Sequence, residues 1–291
     1  LNPSTLVISP TTFTLSVSDS YGCMSEASFF LDVSSQGNAL TGSVRYDNLP
    51  KTALGDFGIV VTRADGSASD TLRTGPEGYF CMDNVPAGTY YITGLYDKPW
   101  PWGGVNSADA LIVAQHFAGF LQLQGIRYLA GDVNLTDFLN TTDALQIVRR
   151  FAGLIDTFMI PDWLMIKDTV IIGQGSNVYT EIYLALAAGD ANGSFIPNYK
   201  TTPHGVIKSG SVQTSAYPRV DIPVHIENSA SLSAMSLEMV IPEGLRINGI
   251  TMAGTMEGQL VHAIRGHSLR LSWFSLKEHW VQPGDLLFTL H

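Results

Sequence analysis

Asp132, Asn134, Thr136, Asn140 and Asp143 fall at positions 1, 3, 5, 9 and 12 of the stretch DVNLTDFLNTTD. Side-chain oxygens at that spacing, with the Phe138 carbonyl at position 7, form the donor set that wraps a hard divalent cation, above all Ca²⁺. The ligand at position 9 often acts through water. Two positions depart from the usual pattern. Asp137 stands sixth, where glycine eases a sharp turn, and Asp143 stands twelfth, where glutamate is usual. The first expected metal site is therefore Asp132, Asn134, Thr136, Phe138, Asn140 and Asp143.

Such a loop needs a helix to fix its last ligand. DALQIVRRFAG, from Asp143 to Gly153, has its counterpart in DALIVAQHFAG, from Asp109 to Gly119, 34 residues earlier. Apolar residues recur at three and four in both, at Leu111, Ala114, Phe117 and Ala118 and at Leu145, Val148, Phe151 and Ala152, which predicts two amphipathic helices packed together. Two copies make a paired module rather than a solenoid. The first copy lacks the front of its loop. Asn106 and Asp109 match positions 9 and 12, but the slots for 1, 3 and 5 hold Lys98, Trp100 and Trp102. The missing front recurs downstream as Asp190, Asn192 and Ser194 in GDANGS. A second, composite Ca²⁺ site is expected from Asp190, Asn192, Ser194, Asn106 and Asp109, with Asp97 a rival ligand one residue out of register. Taken alone, GDANGS also reads as a plain turn.

Asp at position 12, Asn at 9, a helix directly after the loop and the duplication together resemble the dockerin module, the calcium-binding half of the dockerin–cohesin pair. The resemblance implies that positions 10 and 11, here Ser107-Ala108 and Thr141-Thr142, face a cohesin-like partner.

The chain has 291 residues, enough for two or more domains. With 45% hydrophobic residues it reads as folded, and 14% charged residues is low, which suits β-rich assembled proteins. A net charge of −10 disfavours nucleic acid and suits a Ca²⁺-rich medium outside the cell. No apolar run reaches the roughly 18 residues of a membrane helix. The absence of an initiator Met and of a signal peptide gives the expectation of a segment from a longer precursor. Cys23 and Cys81 fall in different modules and read either as one bridge or as two thiols.

Residues 1–36 hold strand patterns at Thr5 to Ile8, Phe13 to Val17 and Phe29 to Val33, with a turn at Asp19 to Gly22. TTFTLSVSDSYGC resembles the closing strands of PKD-like and related Ig-like repeats in large surface proteins of Bacteroidetes-type bacteria. In residues 38–97 strands alternate with turns, and GYFCMDNVPAGTYYIT resembles carboxypeptidase-regulatory-like and Cna-B-like (prealbumin-like) sandwiches. Some Cna-B domains carry a Lys–Asn isopeptide bond, but the matching first-strand position is Arg45, so no crosslink is expected.

Residues 98–199 read as the dockerin-like module, with a β-hairpin insertion over Trp163 to Leu186 that returns the chain to the first loop. Trp100-Pro101-Trp102 reads as packing or as a sugar-stacking platform. In residues 204–291 strands recur at Arg219 to Ile226, Met235 to Ile241, Leu245 to Ile250, Ser268 to Phe274 and Asp285 to Leu290. This run resembles an incomplete cohesin-like sandwich and predicts a free edge at Asp285 to His291.

No G-x-S-x-G, H-E-x-x-H, P-loop or G-x-G-x-x-G occurs, and the seven His are scattered without ligand spacing. The expected fold is mainly β: multi-domain sandwiches, Ig-like or prealbumin-like and cohesin-like, around one small α-helical calcium module. The expected function is that of a non-catalytic, calcium-stabilised extracellular structural protein holding two Ca²⁺, a subunit of a cell-surface fibre or filament assembled through dockerin-like/cohesin-like and strand-edge contacts. Its expected partners are copies of itself or other cohesin- or dockerin-like modules, with surface glycans as further candidates. A stalk segment of a large adhesin and an accessory region of a secreted polysaccharide-degrading enzyme are the rival readings.

Overall fold

The computed structural model describes residues 11–18, 24–31, 37–95, 102–175, 178–197, 207–208 and 220–291. Thr5 to Ile8, the turn at Asp19 to Gly22, Cys23, Asp97, Lys98 and Trp100 lie outside these residues. β1 (Thr11–Ser18) and β2 (Met24–Leu31) pair as an antiparallel two-stranded sheet.

The first sandwich draws on two separate stretches of sequence. β3 (Asn38–Tyr46), β4 (Gly58–Arg63), β5 (Ser69–Arg73), β6 (Tyr79–Val85) and β7 (Gly88–Leu95) come first. After the helices come β8 (Trp163–Met165), β9 (Asp168–Ile172) and β10 (Val178–Ala187). One sheet has the order β6-β3-β10-β8 and the other β5-β4-β7-β9. Expected as a hairpin within the helical module, residues 163–187 instead complete the sandwich. β9 pairs with β7, and β10 lies parallel to β3, with Val178 opposite Ala39 and Ala185 opposite Tyr46. Parallel neighbours need a long crossover, and the helical residues supply it. The core between the sheets includes Leu40, Val44, Tyr46, Ile59, Ile92 and Trp163, each 3% exposed or less.

Between β7 and β8 run α1 (Ser107–Phe117), α2 (Gly125–Gly131) and α3 (Thr141–Phe151). α1 and α3 start on Asn106 and Asn140, each in a capping box with the Asp three residues on. Both end on glycines in the left-handed region, Gly119 at φ 80° and Gly153 at φ 76°. The buried stripe is Ala110, Val113 and Ala114 against Ala144, Ile147 and Val148. Ala114, Val148 and Ala152 are buried as expected, but the stripe also takes in Ala110, Val113, Ala144 and Ile147, while Phe117 is 50% exposed and Leu111 only half-buried. Packing on two sides, against each other and against a sheet, sets the phase.

The second sandwich comprises β11 (Ile207–Lys208), β12 (Ile222–Ile226), β13 (Ala230–Val240), β14 (Ile250–Met252), β15 (Gln259–Arg265), β16 (Ser268–Val281) and β17 (Leu286–Leu290). Its sheets run β11-β12-β17-β14 and β13-β16-β15. The expected free edge at Asp285 to His291 is corrected: β17 is an interior strand, paired with β12 on one side and β14 on the other. Along β16, Leu269, Leu271 and Trp273 enter this core, while Phe274 packs against the helices. The period of two thus gives the β13-β16-β15 sheet two buried faces. Its outer face is lined by small residues, Ser236, Ser272 and Ala263, which lets α1 and α3 approach closely. Among the described residues no helix is long and apolar enough to cross a membrane.

Candidate metal centres

The loop at Asp132 folds around its own first side chain. Asp132 Oδ1 accepts from the Thr136 N–H at 3.1 Å and Oδ2 from the Asp137 N–H at 2.8 Å, while Asn134 Oδ1 accepts from Thr136 N–H at 3.1 Å. Leu135 and Asp137 take φ 57°, so the position where glycine was expected does adopt the left-handed region. Asn140 caps α3 by accepting from the Thr142 N–H at 2.7 Å, and its own amide donates to the Phe138 carbonyl at 3.2 Å. Asp143 Oδ2 accepts from the Asn140 N–H at 3.1 Å. Its other oxygen, Oδ1, is buried with no hydrogen-bond partner, although the nearby Asn134 N–H favours the charged form at longer range.

The residues of the composite site do come together, in the same pattern. Asp190 Oδ1 accepts from Ser194 N–H at 3.0 Å, Asp190 Oδ2 from Phe195 N–H at 3.2 Å, and Asn192 Oδ1 from Ser194 N–H at 2.7 Å. From the other side of the chain, Asn106 caps α1 through Ala108 N–H at 2.8 Å, and Asp109 Oδ2 accepts from Asn106 N–H at 2.9 Å. The two halves are tied directly, for Asp109 Oδ1 accepts from the Asn192 N–H at 3.0 Å. The parallel pairing of β10 with β3 positions the 190–194 half of this meeting. It brings the end of β10 beside the end of β3, where the Tyr46 hydroxyl donates to Asp190 Oδ2 at 2.5 Å and accepts from Ala187 N–H at 3.1 Å.

One member of the composite set had no signal in side-chain chemistry. Asn106 donates its amide to the Gly104 carbonyl at 2.8 Å, as Asn140 does to Phe138, so Gly104 holds position 7. Counting back five residues from Asp109 would have found it. Gly104 sits at φ 87°, and a Cβ there would lie 2.5 Å from Phe195 Cβ and 2.9 Å from Asp190 Oδ2. Gly104→Ala is expected to cost about 1–3 kcal/mol through backbone strain and displacement of the 190–195 loop. Gly254→Ala, where a Cβ meets nothing within 4 Å, should be close to neutral. Thermal denaturation of the two variants provides the comparison.

Buried carboxylates set the electrostatics of both loops. Asp109, Asp143 and Asp190 are 0% exposed and Asp132 5%. Burial first, and then the facing Asp190 carboxylate, push the Asp109 carboxyl well above the usual range. Asp190 is also raised by burial, against the pull of the Tyr46 hydroxyl and the Ser194 and Phe195 N–H groups. Asp143 is raised by burial, with Asp132 adding to it. Buried like charges of this kind are costly unless neutralised. Among the described residues no three His, Cys, Asp or Glu side chains converge. Each loop instead offers two carboxylates with amide, hydroxyl and carbonyl oxygens, the mixed hard-oxygen set suited to Ca²⁺ rather than to a softer metal.

α2 fastens this region to the first sandwich. Arg127 donates from Nε to Asp47 Oδ2 at 2.9 Å and from Nη1 to the Asn192 carbonyl at 3.0 Å. Burial opposes the Asp47 charge, but Lys51 and Arg127 outweigh it and hold that carboxyl below its usual range. Trp102 donates its Nε1 to the Ala188 carbonyl at 2.9 Å, and the Arg150 guanidinium lies 3.7 Å from its ring centroid, so this ring packs within the chain. Of the expected interaction residues, Ser107 is buried against the second sandwich of its own chain, Ala108 is half-buried, and Thr141 and Thr142 are exposed. Arg45 stacks over Tyr79 at 5.0 Å. Cys81 is exposed.

No protein-family model matches the chain, and no curated protein sequence matches it. Solved structures similar to it include the full-length major pilin SpaD of Corynebacterium diphtheriae, at 12% identity and TM-score 0.30, covering 88% of this chain and 56% of that one. A variant of BcpA, the major pilin subunit of Bacillus cereus, aligns at 9% identity and TM-score 0.29, covering 87% and 57%. A putative carbohydrate-binding protein from Bacteroides uniformis aligns at 10% identity and TM-score 0.21, covering 87% and 78%. The chain spans little more than half the length of the two pilins.

Proposed function

We propose that this chain is a non-catalytic, calcium-stabilised structural protein of the cell exterior, a subunit of a surface fibre built from β-sandwich modules. The observation that carries the reading is a pair of buried carboxylates in each of two matching loops: Asp143, with no hydrogen-bond partner for Oδ1, near Asp132, and Asp109 facing Asp190. Ca²⁺ bound by Asp132, Asn134, Thr136, Phe138, Asn140 and Asp143, and by Asp190, Asn192, Ser194, Gly104, Asn106 and Asp109, supplies the missing positive charge. The chain's own residues do the rest. The capping boxes hold the last carboxylate of each set, and Tyr46 and the 194–195 N–H groups hold the first of the composite set. A cation in the composite loop ties the start of α1 to the end of β10 and fixes the helical crossover to the sandwich. Sites of this kind in extracellular modules bind in the range of about 10⁻⁴–10⁻³ M, which suits a location outside the cell.

Electron microscopy and light scattering, with and without a chelator, test the fibre. Ordered polymers that shorten or fall apart on chelation are expected. A monodisperse monomer in both conditions would overturn the fibre and leave the stalk of a large adhesin as the better reading.

A further inference from the structure

The composite loop and the seat of α1 on the second sandwich share a residue. Ser107 lies between Asn106 and Asp109, and both its N–H and its hydroxyl meet Ser236 Oγ of β13, at 2.9 and 2.8 Å. Ser107 is 2% exposed. Around that contact α1 lies on β13 and β16, with Ser272 fully buried and Val261 packed into the helical core. A further polar tie between the helical module and the second sandwich, Arg265 to Asp156 at 3.2 Å, joins side chains 61% and 81% exposed, a pair worth little. The docking of the second sandwich therefore rests mainly on α1, and the first turn of α1 supplies its buried polar contact. That turn is also the half of the composite site that carries Asp109.

We propose that metal binding at the composite loop and docking of the second sandwich on α1 are thermodynamically coupled, so that the joint between the two sandwiches is rigid only when the loop is loaded. The inference rests on the calcium reading given above. Without a cation, the buried Asp109 and Asp190 carboxylates are relieved by moving the start of α1 away from the 190–194 loop. That movement withdraws Ser107 from Ser236. The loop at 132–143 opens onto α3, which also packs on β15 and β16, but Thr141 and Thr142 beside that loop are exposed, so the start of α3 stands clear of the Ser107–Ser236 contact. Coupling is reciprocal: a change that breaks the seat without touching a ligand must weaken the composite site by the factor with which metal strengthens docking.

The test uses the whole chain, with Ser236→Arg to obstruct the seat and Ser236→Ala to remove only the acceptor. Calcium chloride titrated calorimetrically reads both sites, and small-angle X-ray scattering reads the joint. The expected result is a wild-type radius of gyration that increases on chelation. Ser236→Arg should be expanded even in calcium and bind at one of its two sites at least about fivefold more weakly, with the other site unchanged. Ser236→Ala should show a smaller loss at the same site. The coupling is overturned if wild type binds two ions yet keeps its radius on chelation, or if both variants retain both affinities. Failure of the wild type to bind calcium chloride at all would instead sink the calcium reading itself.

Discussion

Metal-free protein titrated with calcium chloride is expected to take up two ions and to become markedly more heat-stable. For each site the gain is RT ln(1 + [L]/Kd), about 2.7 kcal/mol at a free concentration of 100 Kd. Two such sites would add about 5 kcal/mol. For units of 150–250 residues each kcal/mol moves Tm by about 2–4 °C, so a rise on the order of 10 °C or more is expected. Asp143→Ala should remove one step of the titration and Asp190→Ala the other, because each deletes a carboxylate at one end of its own loop. Differential scanning calorimetry in calcium and in chelator is the measurement. Superimposable melting curves in the two conditions would be incompatible with a clamp at either site.

A second large effect is the pH dependence of the metal-free protein. The folded-state pKa values of Asp109 and Asp190 are raised, by burial first in each case and, for Asp109, by the facing Asp190. A raised carboxyl contributes stability that is fully present below its unfolded pKa of about 3.9 and is lost as pH rises through the folded value. In the absence of metal this pair therefore destabilises the fold progressively from acid toward neutral pH. Calcium inverts the sign, because it binds the deprotonated pair and must displace its proton. Where one proton is released per ion, the composite site should gain about tenfold in affinity per pH unit until the pair is ionised. Asp109→Asn is expected to flatten this pH dependence of metal-free stability, and to bind calcium at the 132–143 loop alone. Titrations in buffers of different ionisation enthalpy count the protons released. Binding at the composite loop with no proton release at any pH above the unfolded carboxyl value of about 3.9 would contradict the raised values.

The loop at 132–143 was legible as one folded turn leading into α3 because its six candidate residues fall within a single twelve-residue stretch. Asp190, Asn192 and Ser194 were found only because the same spacing recurs without its second half. Gly104 escaped because a backbone carbonyl leaves no mark in residue type, although its place follows by counting from Asp109. The stripes of α1 and α3 were legible only in part: Ala114, Val148 and Ala152 are buried as expected, but Ala110, Val113, Ala144 and Ile147 were missed, since a helix wedged between a partner helix and a sheet buries more than one stripe. α2 and β15 were not read at all: GIRYLAG is short, and QLVHAIR mixes buried and exposed residues without clean alternation. The completion of the first sandwich by residues 163–187 lay beyond local pattern, since nothing in either strand states that β10 runs parallel to β3.

That pairing has a mechanical consequence. In a chain under tension, force enters the first sandwich at the start of β3, near Gly37, and leaves it past the end of β10, near Pro197. The two strands are neighbours and run the same way, so pulling from opposite ends loads all of the hydrogen bonds between them at once, in shear, rather than unzipping them singly. The helices hang on the side of this load path as a closed loop and bear none of the pull while the two strands hold. A thread strung from such units would stretch little, and it would keep its helical module folded up to the force at which β3 and β10 slide apart.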